Sequence, residues 1–151
     1  MDVMTLKHKF EASLTDLPAL GMDVHSMVED FRRYYTHTLG RDHHTRSTHY
    51  AYQALVLSLR DRLMERWKNT RFAYQETDSR RAHYMSLEFL MGRDLGNAMI
   101  NLGVDDEATA ALEKYGIELE KFAGAEHDAG LGNGCLGRTA ACVLDSCPTL
   151  H

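Results

Sequence analysis

Apolar residues recur at helical spacing in the first part of the chain. From residue 27 onward the positions that share one face are Met27, Val28, Phe31, Tyr34, Tyr35 and Thr38. This spacing predicts one amphipathic helix. Ser26 and Glu29 are spaced for a capping box at its start, and Gly40 lies where such a helix would stop.

A longer helical pattern follows the polar residues 41–46. Its apolar face consists of Tyr52, Leu55, Val56, Leu59, Leu63 and Trp67. The charged residues between them are Arg60, Asp61, Arg62, Glu65 and Arg66. These charged side chains are predicted to face solvent, and Ser47 or Thr48 is the expected N-cap.

The period changes to strict alternation after the polar residues 76–81. Ala82, Tyr84, Ser86 and Glu88 alternate with His83, Met85, Leu87 and Phe89, and Gly92 follows. Alternation of this kind predicts a strand.

Three short helical patterns come next. The first contains Leu95, Ala98, Met99 and Leu102 before Gly103, and the second contains Asp106, Ala108, Ala111, Leu112 and Tyr115 before Gly116. A further turn or two is expected between Leu119 and Glu126. The glycines are predicted to end the first two helices.

One strand followed by helices, with no returning strand, leaves a parallel sheet unfinished. We therefore expect an incomplete domain with an uncovered apolar edge, and poor solubility or a molten state for the chain expressed alone. The predicted organisation is an amino-terminal arm at 1–22, a helical segment at 23–80 and the start of an unfinished domain at 81–151.

The charge of the chain argues against a nucleic-acid partner. Twenty-two acids and 17 bases are spread in mixed sign, for a formal net charge of −5. No basic stripe of the kind that tracks phosphates is present. The amino terminus lacks an apolar targeting core, and the longest apolar run, at 54–57, is too short to span a membrane. A cytoplasmic protein without a membrane partner is the expectation.

Metal-binding and redox chemistry find little support in the sequence. The chain has an odd number of cysteines, Cys135, Cys142 and Cys147, and their spacing does not match a zinc site. His43 and His44 are adjacent and polar, and the zinc-protease pattern H-E-x-x-H does not occur. We expect no metal site, and we interpret the cysteines as buried or incidental thiols, with a thiol redox role as an alternative.

A glycine-rich loop carries the clearest candidate chemistry. Residues 132–137 match G-x-G-x-x-G, but the dinucleotide-binding form requires a hydrophobic strand before it and an acid about twenty residues after it. The preceding residues 124–129 are mostly polar. Gly130, Gly132, Gly134 and Gly137 would let the backbone approach a ligand, and exposed amides at a helix start favour a phosphate. A tight turn without a ligand is the alternative.

Three blocks of sequence, taken together, are similar to one known family. They are S-L-R-D-R-L-M-E-R-W at 58–67, Y-M-S-L-E-F-L-M-G-R-D-L-G-N-A-M at 84–99, and D-A-G-L-G-N-G-C-L-G-R-T-A-A-C-V-L-D-S at 128–146. In this order they resemble the glycogen and maltodextrin (α-1,4-glucan) phosphorylases. The resemblance covers about residues 35–147.

The resemblance implies the amino-terminal, mostly helical part of a GT-B glucosyltransferase of the α/β class, with an incomplete Rossmann-like domain. Enzymes of this family are cytoplasmic, form homodimers and carry pyridoxal 5'-phosphate. They use orthophosphate to release glucose 1-phosphate from an α-1,4-glucan. The cofactor lysine and the phosphate-holding basic residues are expected outside this chain. No catalytic residue is therefore expected within it, and the chain should be inactive alone.

The resemblance also implies roles for particular residues. The predicted phosphate and substrate loop consists of Asn133, Gly134, Cys135 and Leu136. Glu88, Asp128, Gly132 and Gly137 are predicted to support that loop. Cys135 replaces a glycine of the family, and its Cβ is expected either to strain the turn or to crowd the site.

Two further interpretations follow from the resemblance. Arg71, Phe72 and Gln75 stand where animal enzymes carry a regulatory nucleotide site, which favours the unregulated bacterial type. The absence of the catalytic half motivates an alternative of a different class: a non-catalytic helical module that binds phosphate or pairs with a partner subunit. By the same resemblance, the helix that begins at Thr48 would lie near a dimer interface.

Overall fold

The computed structural model describes residues 18–150 of the protein. This part of the chain is helical. Its elements are α1 (Val24–Arg33), a π-helical turn (Tyr34–Thr38), α2 (Thr48–Glu76), α3 (Leu95–Leu102), α4 (Asp105–Glu113), α5 (Leu119–Ala125) and α6 (Gly134–Leu150). None of the helices within residues 18–150 combines the length and the apolar character needed to cross a membrane.

Helix α1 begins three residues earlier than the apolar pattern suggests, because Asp23 caps it. The Asp23 carboxylate accepts hydrogen bonds from the backbone N–H groups of His25 and Ser26, at 2.9 and 3.1 Å. The Ser26 hydroxyl donates to the same carboxylate at 2.7 Å. The predicted capping box of Ser26 and Glu29 is therefore wrong. Gly40 has a φ of +60°, which agrees with its predicted position after the helix.

Helix α2 is only partly covered by the rest of the described chain. With 29 residues it is about 43 Å long. All of its buried residues lie in the first half, between Ala51 and Arg62. The predicted apolar face continues through Leu63 and Trp67, but both side chains are exposed, Trp67 by 54%. The Ser47 N-cap was predicted correctly as one of two candidates, although its side chain makes no capping bond.

The expectation that every charged residue of α2 faces solvent is wrong for Arg62. Its side chain is completely buried. It lies 3.0 Å from a carboxylate oxygen of Asp30 and donates to the backbone and side-chain oxygens of Ser58. It also donates to the backbone carbonyl of Gly21, at 3.0 Å from Nε and 2.6 Å from Nη2. All three guanidinium nitrogens are thus satisfied, which is what allows a charge to be buried here.

The other charged residues of α2 also differ from one another. Arg60 is exposed, as predicted. Asp61 accepts a hydrogen bond from the Tyr34 hydroxyl. Glu65 accepts one from the Leu20 backbone at 3.2 Å. Together with the Arg62 bonds, this contact fixes residues 20 and 21 of the predicted loose arm on α2, and residues 1–17 lie outside the described part.

Helices α3 and α4 end as the sequence predicts. Gly103 and Gly116 have φ values of +69° and +67°, the left-handed conformation that glycine adopts at a helix end. Arg66 of α2 donates to the last carbonyls of α3, those of Asn101 and Leu102, at 2.9 and 2.7 Å. Helix α5 fills the region predicted for a further turn or two.

A single apolar core unites helices α1 to α5. Its members include Met27, Phe31, Leu55, Leu59, Met99, Leu102, Val104, Leu112 and Phe122. Val104 and Phe122 are completely buried. This core takes residues from both sides of position 80, where the sequence pattern suggested a boundary, and the predicted domain limits are otherwise untested.

The predicted strand at residues 82–89 is wrong. These residues form no regular secondary structure, the chain bends at Leu87, and no strand is present among residues 18–150 to pair with them. Met85 and Leu87 are almost fully exposed, so the alternation does not mark a buried face. A strand requires a neighbouring strand, which a local pattern cannot supply. The unfinished sheet edge, from which we expected poor solubility, is absent from the described residues.

Candidate functional site

The extended segment at 88–90 holds the glycine-rich loop in place. The backbone N–H of Phe89 donates to the carbonyl of Leu131 at 2.9 Å. The N–H of Leu90 donates to the carbonyl of Gly137, also at 2.9 Å. These two bonds join the segment to both ends of residues 131–137. Two of the three resembling sequence blocks therefore meet in space.

Close backbone contact explains the glycines at 132 and 137. A Cβ at Gly132 would lie 2.7 Å from the Phe89 nitrogen and 2.8 Å from the Glu88 Cβ. A Cβ at Gly137 would lie 3.3 Å from the Leu90 nitrogen. The first distance is a severe clash with backbone and the second is a tight contact. Both glycines thus serve the close packing of the loop on residues 88–90.

The loop leads directly into the amino terminus of α6. Gly130 and Gly134 have φ values of +63° and +62°, which side chains rarely tolerate. The first-turn N–H groups of an α-helix have no partner within the helix, and they carry a partial positive charge. Here that turn is formed by residues 134–137. The arrangement offers backbone donors to an anion without requiring a cationic side chain.

The four residues predicted to bind phosphate and substrate lie at the start of α6. Asn133, Gly134, Cys135 and Leu136 are consecutive and exposed, Leu136 by 80%. An exposed leucine of this kind is free to contact a further domain or a ligand. Their predicted roles in binding are not tested by this geometry.

Cys135 does not strain the turn, although it replaces a family glycine. Among the described non-glycine residues only Asp78 has a positive φ, so Cys135 keeps an ordinary backbone conformation. Its carbonyl accepts a hydrogen bond from the Thr139 hydroxyl at 2.9 Å, as expected inside a helix. Its Cβ was expected either to strain the turn or to crowd the site. The backbone conformation excludes strain, and crowding of the site stays a prediction.

The two predicted supporting acids lie beside the loop. The Cβ of Glu88 is 2.8 and 3.5 Å from the Cβ positions of Gly132 and Gly137, so Glu88 packs directly beneath both glycines. Glu88 is half-buried and forms no ion pair within residues 18–150. Asp128 is exposed, and its Oδ1 is 3.8 Å from the Cβ position of Gly92, whose φ is +83°.

The sequence interpretation missed Glu126. Its carboxylate accepts the backbone N–H groups of Asp94 and Leu95 at 2.7 and 3.0 Å. It thereby caps the start of α3 from the residue that follows α5. No local pattern reveals this role, because the capped amides are more than thirty positions away in the chain. This contact attaches residue 126, which precedes the glycine-rich loop, to the helical core at the start of α3.

The cysteines are exposed, so the expectation of buried thiols is wrong, and the incidental interpretation and the redox alternative are left. Cys135, Cys142 and Cys147 all lie on α6. Within the described part of the chain, no three histidine, cysteine, aspartate or glutamate side chains are grouped closely enough to hold a metal ion.

Comparison with known proteins agrees with the sequence blocks. The family model described as carbohydrate phosphorylase matches residues 112–151, which include the glycine-rich loop. The brain form of glycogen phosphorylase from Bos taurus is 44% identical over 140 residues, which cover 93% of this chain and 16% of that protein. The liver form from Homo sapiens is 43% identical and the muscle form from Mus musculus 42% identical, each over 128 residues, which cover 85% of this chain and 15% of each relative.

The matches confirm the phosphorylase family predicted from the three blocks. They do not confirm the bacterial type, since the relatives named above are animal proteins. The chain spans about one sixth of the length of these relatives, and its described part is mostly helical.

Proposed function

We infer that this chain is part of an α-1,4-glucan phosphorylase, a glycosyltransferase that cleaves glycogen or maltodextrin with orthophosphate and releases glucose 1-phosphate. One observation carries the inference. The chain is 44% identical to a glycogen phosphorylase over 93% of its length, and the matched glycine-rich loop opens a helix with its amides exposed.

We propose that the loop binds the phosphate of the substrate. Residues 134–136 would donate their backbone N–H groups, and Asn133 would add a side-chain donor at the same edge. Backbone dipoles fixed before the reaction stabilise negative charge without reorganising, which is the main contribution that such a loop can make to catalysis. Glu88, Gly132 and Gly137 would keep those donors in place through the contacts described above.

Leu136 is proposed to contact the glucosyl unit. Its side chain is exposed in this chain although it is large and apolar, and it projects from the first turn beside the proposed phosphate site. An apolar contact on the flat face of a sugar would orient the bond to be cleaved relative to the phosphate.

The family cofactor, pyridoxal 5'-phosphate, fits this chain only through its phosphate group. The described loop offers amides and glycines that suit an anion, and no lysine occurs between residues 122 and 151 to hold an aldehyde. When bound, the cofactor phosphate would exchange a proton with the substrate phosphate. Residues 134–136 would then hold the negative charge of the two neighbouring phosphates.

We further propose a GT-B architecture, a cytoplasmic location and a homodimer for the whole protein. The exposed second half of α2 supports an interface role, since large apolar side chains project from it into solvent. They are Leu63, Met64, Trp67, Phe72 and Tyr74. The rings of Trp67 and Tyr74 are contacted by the guanidinium groups of Arg71 and Arg81, at 4.8 and 5.7 Å. Exposed large apolar side chains in such number mark contact with another domain or subunit. This exposure is also the observation that favours the second candidate, a non-catalytic interaction module.

The test is an assay of the whole protein with glycogen and orthophosphate in the presence of pyridoxal 5'-phosphate. We expect glucose 1-phosphate to form, and the 151-residue chain alone to be inactive. The variant to compare in the same assay is Gly132→Ala, which should abolish turnover while leaving glycogen binding intact.

The interaction-module candidate predicts a different result. In that case the whole protein would bind a partner subunit but release no glucose 1-phosphate, with or without the cofactor. Such an outcome would overturn the proposed activity, and it would leave the family assignment unchanged.

A further inference from the structure

A cavity of about 580 Å³ opens on the side of the core formed by α1 and the start of α2. Its walls come from α1, the π-helical turn, the loop 42–47, the start of α2 and the residues 115–122 around the start of α5. None of these residues belongs to the glycine-rich loop or to the segment 88–90. The cavity has the size of typical small-molecule sites, about 300–1,000 Å³.

One wall of the cavity is aromatic. Phe31 stacks on Tyr35 with ring centroids 6.1 Å apart and planes 14° apart. Phe31 also packs on Tyr115 at 5.3 Å and 33°. The Tyr35 hydroxyl is fixed by donation to the Thr45 carbonyl at 2.8 Å, so its ring is held in place. Tyr115 is 42% exposed, which leaves a flat apolar surface open to a ligand.

The rim of the cavity is cationic. Arg32, Arg46 and Lys121 line it, against the single carboxylate of Asp42. Within residues 18–150, Arg32 and Arg46 lie in no ion pair, whereas Lys121 pairs with Glu118 at 3.2 Å on the surface. Two guanidinium groups are therefore left to bind an anion.

Asp42 offsets only part of this positive charge, because it is one carboxylate beside two guanidinium groups. Its Oδ1 accepts the backbone N–H groups of His44 and Thr45 at 3.0 and 3.1 Å. The Thr45 hydroxyl also donates to Oδ1, at 3.1 Å. The Thr45 hydroxyl bond is the largest cause of a lowered pKa of Asp42, so the carboxylate stays ionised, and the bonds of Oδ1 orient it toward its own loop.

We propose that this cavity binds a small anion that carries a flat aromatic ring. The ring would lie on the wall of Phe31, Tyr35 and Tyr115, and the phosphate or carboxylate would be bound by Arg32 and Arg46. The planar, fork-shaped guanidinium suits either oxyanion, which it binds with two parallel hydrogen bonds. Neither half of the ligand would bind well alone, because wall and rim each contribute a part of the affinity.

The test is a calorimetric titration of the 151-residue chain with 1-naphthyl phosphate, 1-naphthol and inorganic phosphate as the three probes. We expect 1-naphthyl phosphate to bind more tightly than the other two. Arg32→Gln and Arg46→Gln should each weaken it about fivefold, the effect of losing about 1 kcal/mol at a partly exposed site. The control is Arg60→Gln, which removes the same charge from an exposed position of α2 outside the cavity.

Several results would overturn the proposal. Equal affinity for 1-naphthol would show an apolar surface without anion recognition. An equal loss with Arg60→Gln would show a general effect of charge. Failure of 1-naphthyl phosphate to bind the chain would exclude the site, whether near-ultraviolet circular dichroism shows the core folded or shows that the five wall segments do not assemble. None of these results bears on phosphorolysis by the whole protein.

Discussion

The guanidinium of Arg62 lies 3.0 Å from the carboxylate of Asp30, and the arginine side chain is completely buried between α1 and α2. The same guanidinium holds the carbonyls of Gly21 and Ser58. It thus joins α1, α2 and the chain that enters α1. A charged residue, rather than an apolar one, connects these three segments.

Replacing Arg62 should therefore destabilise the chain strongly. We expect Arg62→Met to cost about 3 kcal/mol in the free energy of unfolding, since it removes the buried guanidinium from Asp30, Gly21 and Ser58 and leaves Asp30 with Arg33 as its charged partner. Urea unfolding followed by circular dichroism measures this value. The control Arg60→Gln should change it by less than about 0.5 kcal/mol. A loss below about 1 kcal/mol for Arg62→Met would contradict the structural role.

Gly132→Ala should separate the glycine-rich loop from residues 88–90. The new Cβ would meet the Phe89 nitrogen at 2.7 Å, so the two segments must move apart. We expect faster hydrogen exchange at the Phe89 and Leu90 amides, which bond across this contact. The matched control is Gly96→Ala in α3, where no atom lies within 4 Å.

The control variant Gly96→Ala has its own expected effect on hydrogen exchange. An alanine in the interior of a helix is more favourable than a glycine by about 0.5–1 kcal/mol, so Gly96→Ala should slow exchange in α3 or leave it unchanged. Unchanged exchange at Phe89 and Leu90 in Gly132→Ala would show that the loop accepts a Cβ.

The carboxyl group of Asp23 should titrate well below ordinary aspartates. Its bond with the Ser26 hydroxyl and those with backbone amides lower its pKa from 3.8 to about 2. Because the folded pKa is the lower one, the cap stabilises α1 at pH values above 3.8. That contribution is lost as the pH falls through about 2.

A carbon-detected nuclear magnetic resonance titration of the side-chain carboxyl reports this pKa directly. Asp23→Asn keeps a capping acceptor but cannot ionise, so its α1 stability should not change with pH in this window. A midpoint near 3.8 for Asp23 would mean that the cap is absent in solution.

Glu126→Ala should loosen the start of α3 together with the entrance to the glycine-rich loop. Two backbone N–H groups lose their acceptor, and we expect a loss of about 1 kcal/mol in the free energy of unfolding. Glu113→Ala, at the exposed end of α4, is the control and should have little effect. Equal effects of the two substitutions, measured by urea unfolding, would rule out the capping role.

Cys135→Gly should tighten phosphate binding by the whole protein, because it removes the Cβ that stands in the first turn of α6. The control is Cys142→Gly, which removes the same atoms about two turns further along the same helix. Each substitution weakens the helix by up to about 1 kcal/mol, so the two variants are matched in helix stability. The dissociation constant for orthophosphate, measured by calorimetry, should fall only in Cys135→Gly. An equal constant in both variants would show that Cys135 does not crowd the site.

The helix ends at Gly103 and Gly116 show what local sequence can predict. Each glycine follows an apolar periodic segment, and each adopts the left-handed conformation that the pattern requires. The position of each of these helix ends depends only on residues a few positions away in the chain. The capping box of Ser26 and Glu29 failed for a related reason, since the Asp23 carboxylate accepts the Ser26 amide that Glu29 would have accepted.

The sequence by itself identified the family and the helices of the core, and it predicted the four consecutive residues of the proposed phosphate site, Asn133 to Leu136. These inferences depend on short-range patterns and on sequence blocks in a fixed order. The tertiary structure alone decided that Arg62 is buried, that residues 88–90 lie beside the glycine-rich loop and form no strand, and that Glu126 caps α3. Each of these depends on a partner about thirty to fifty positions away, and a local pattern holds no information about which distant group will satisfy a charge or a backbone amide.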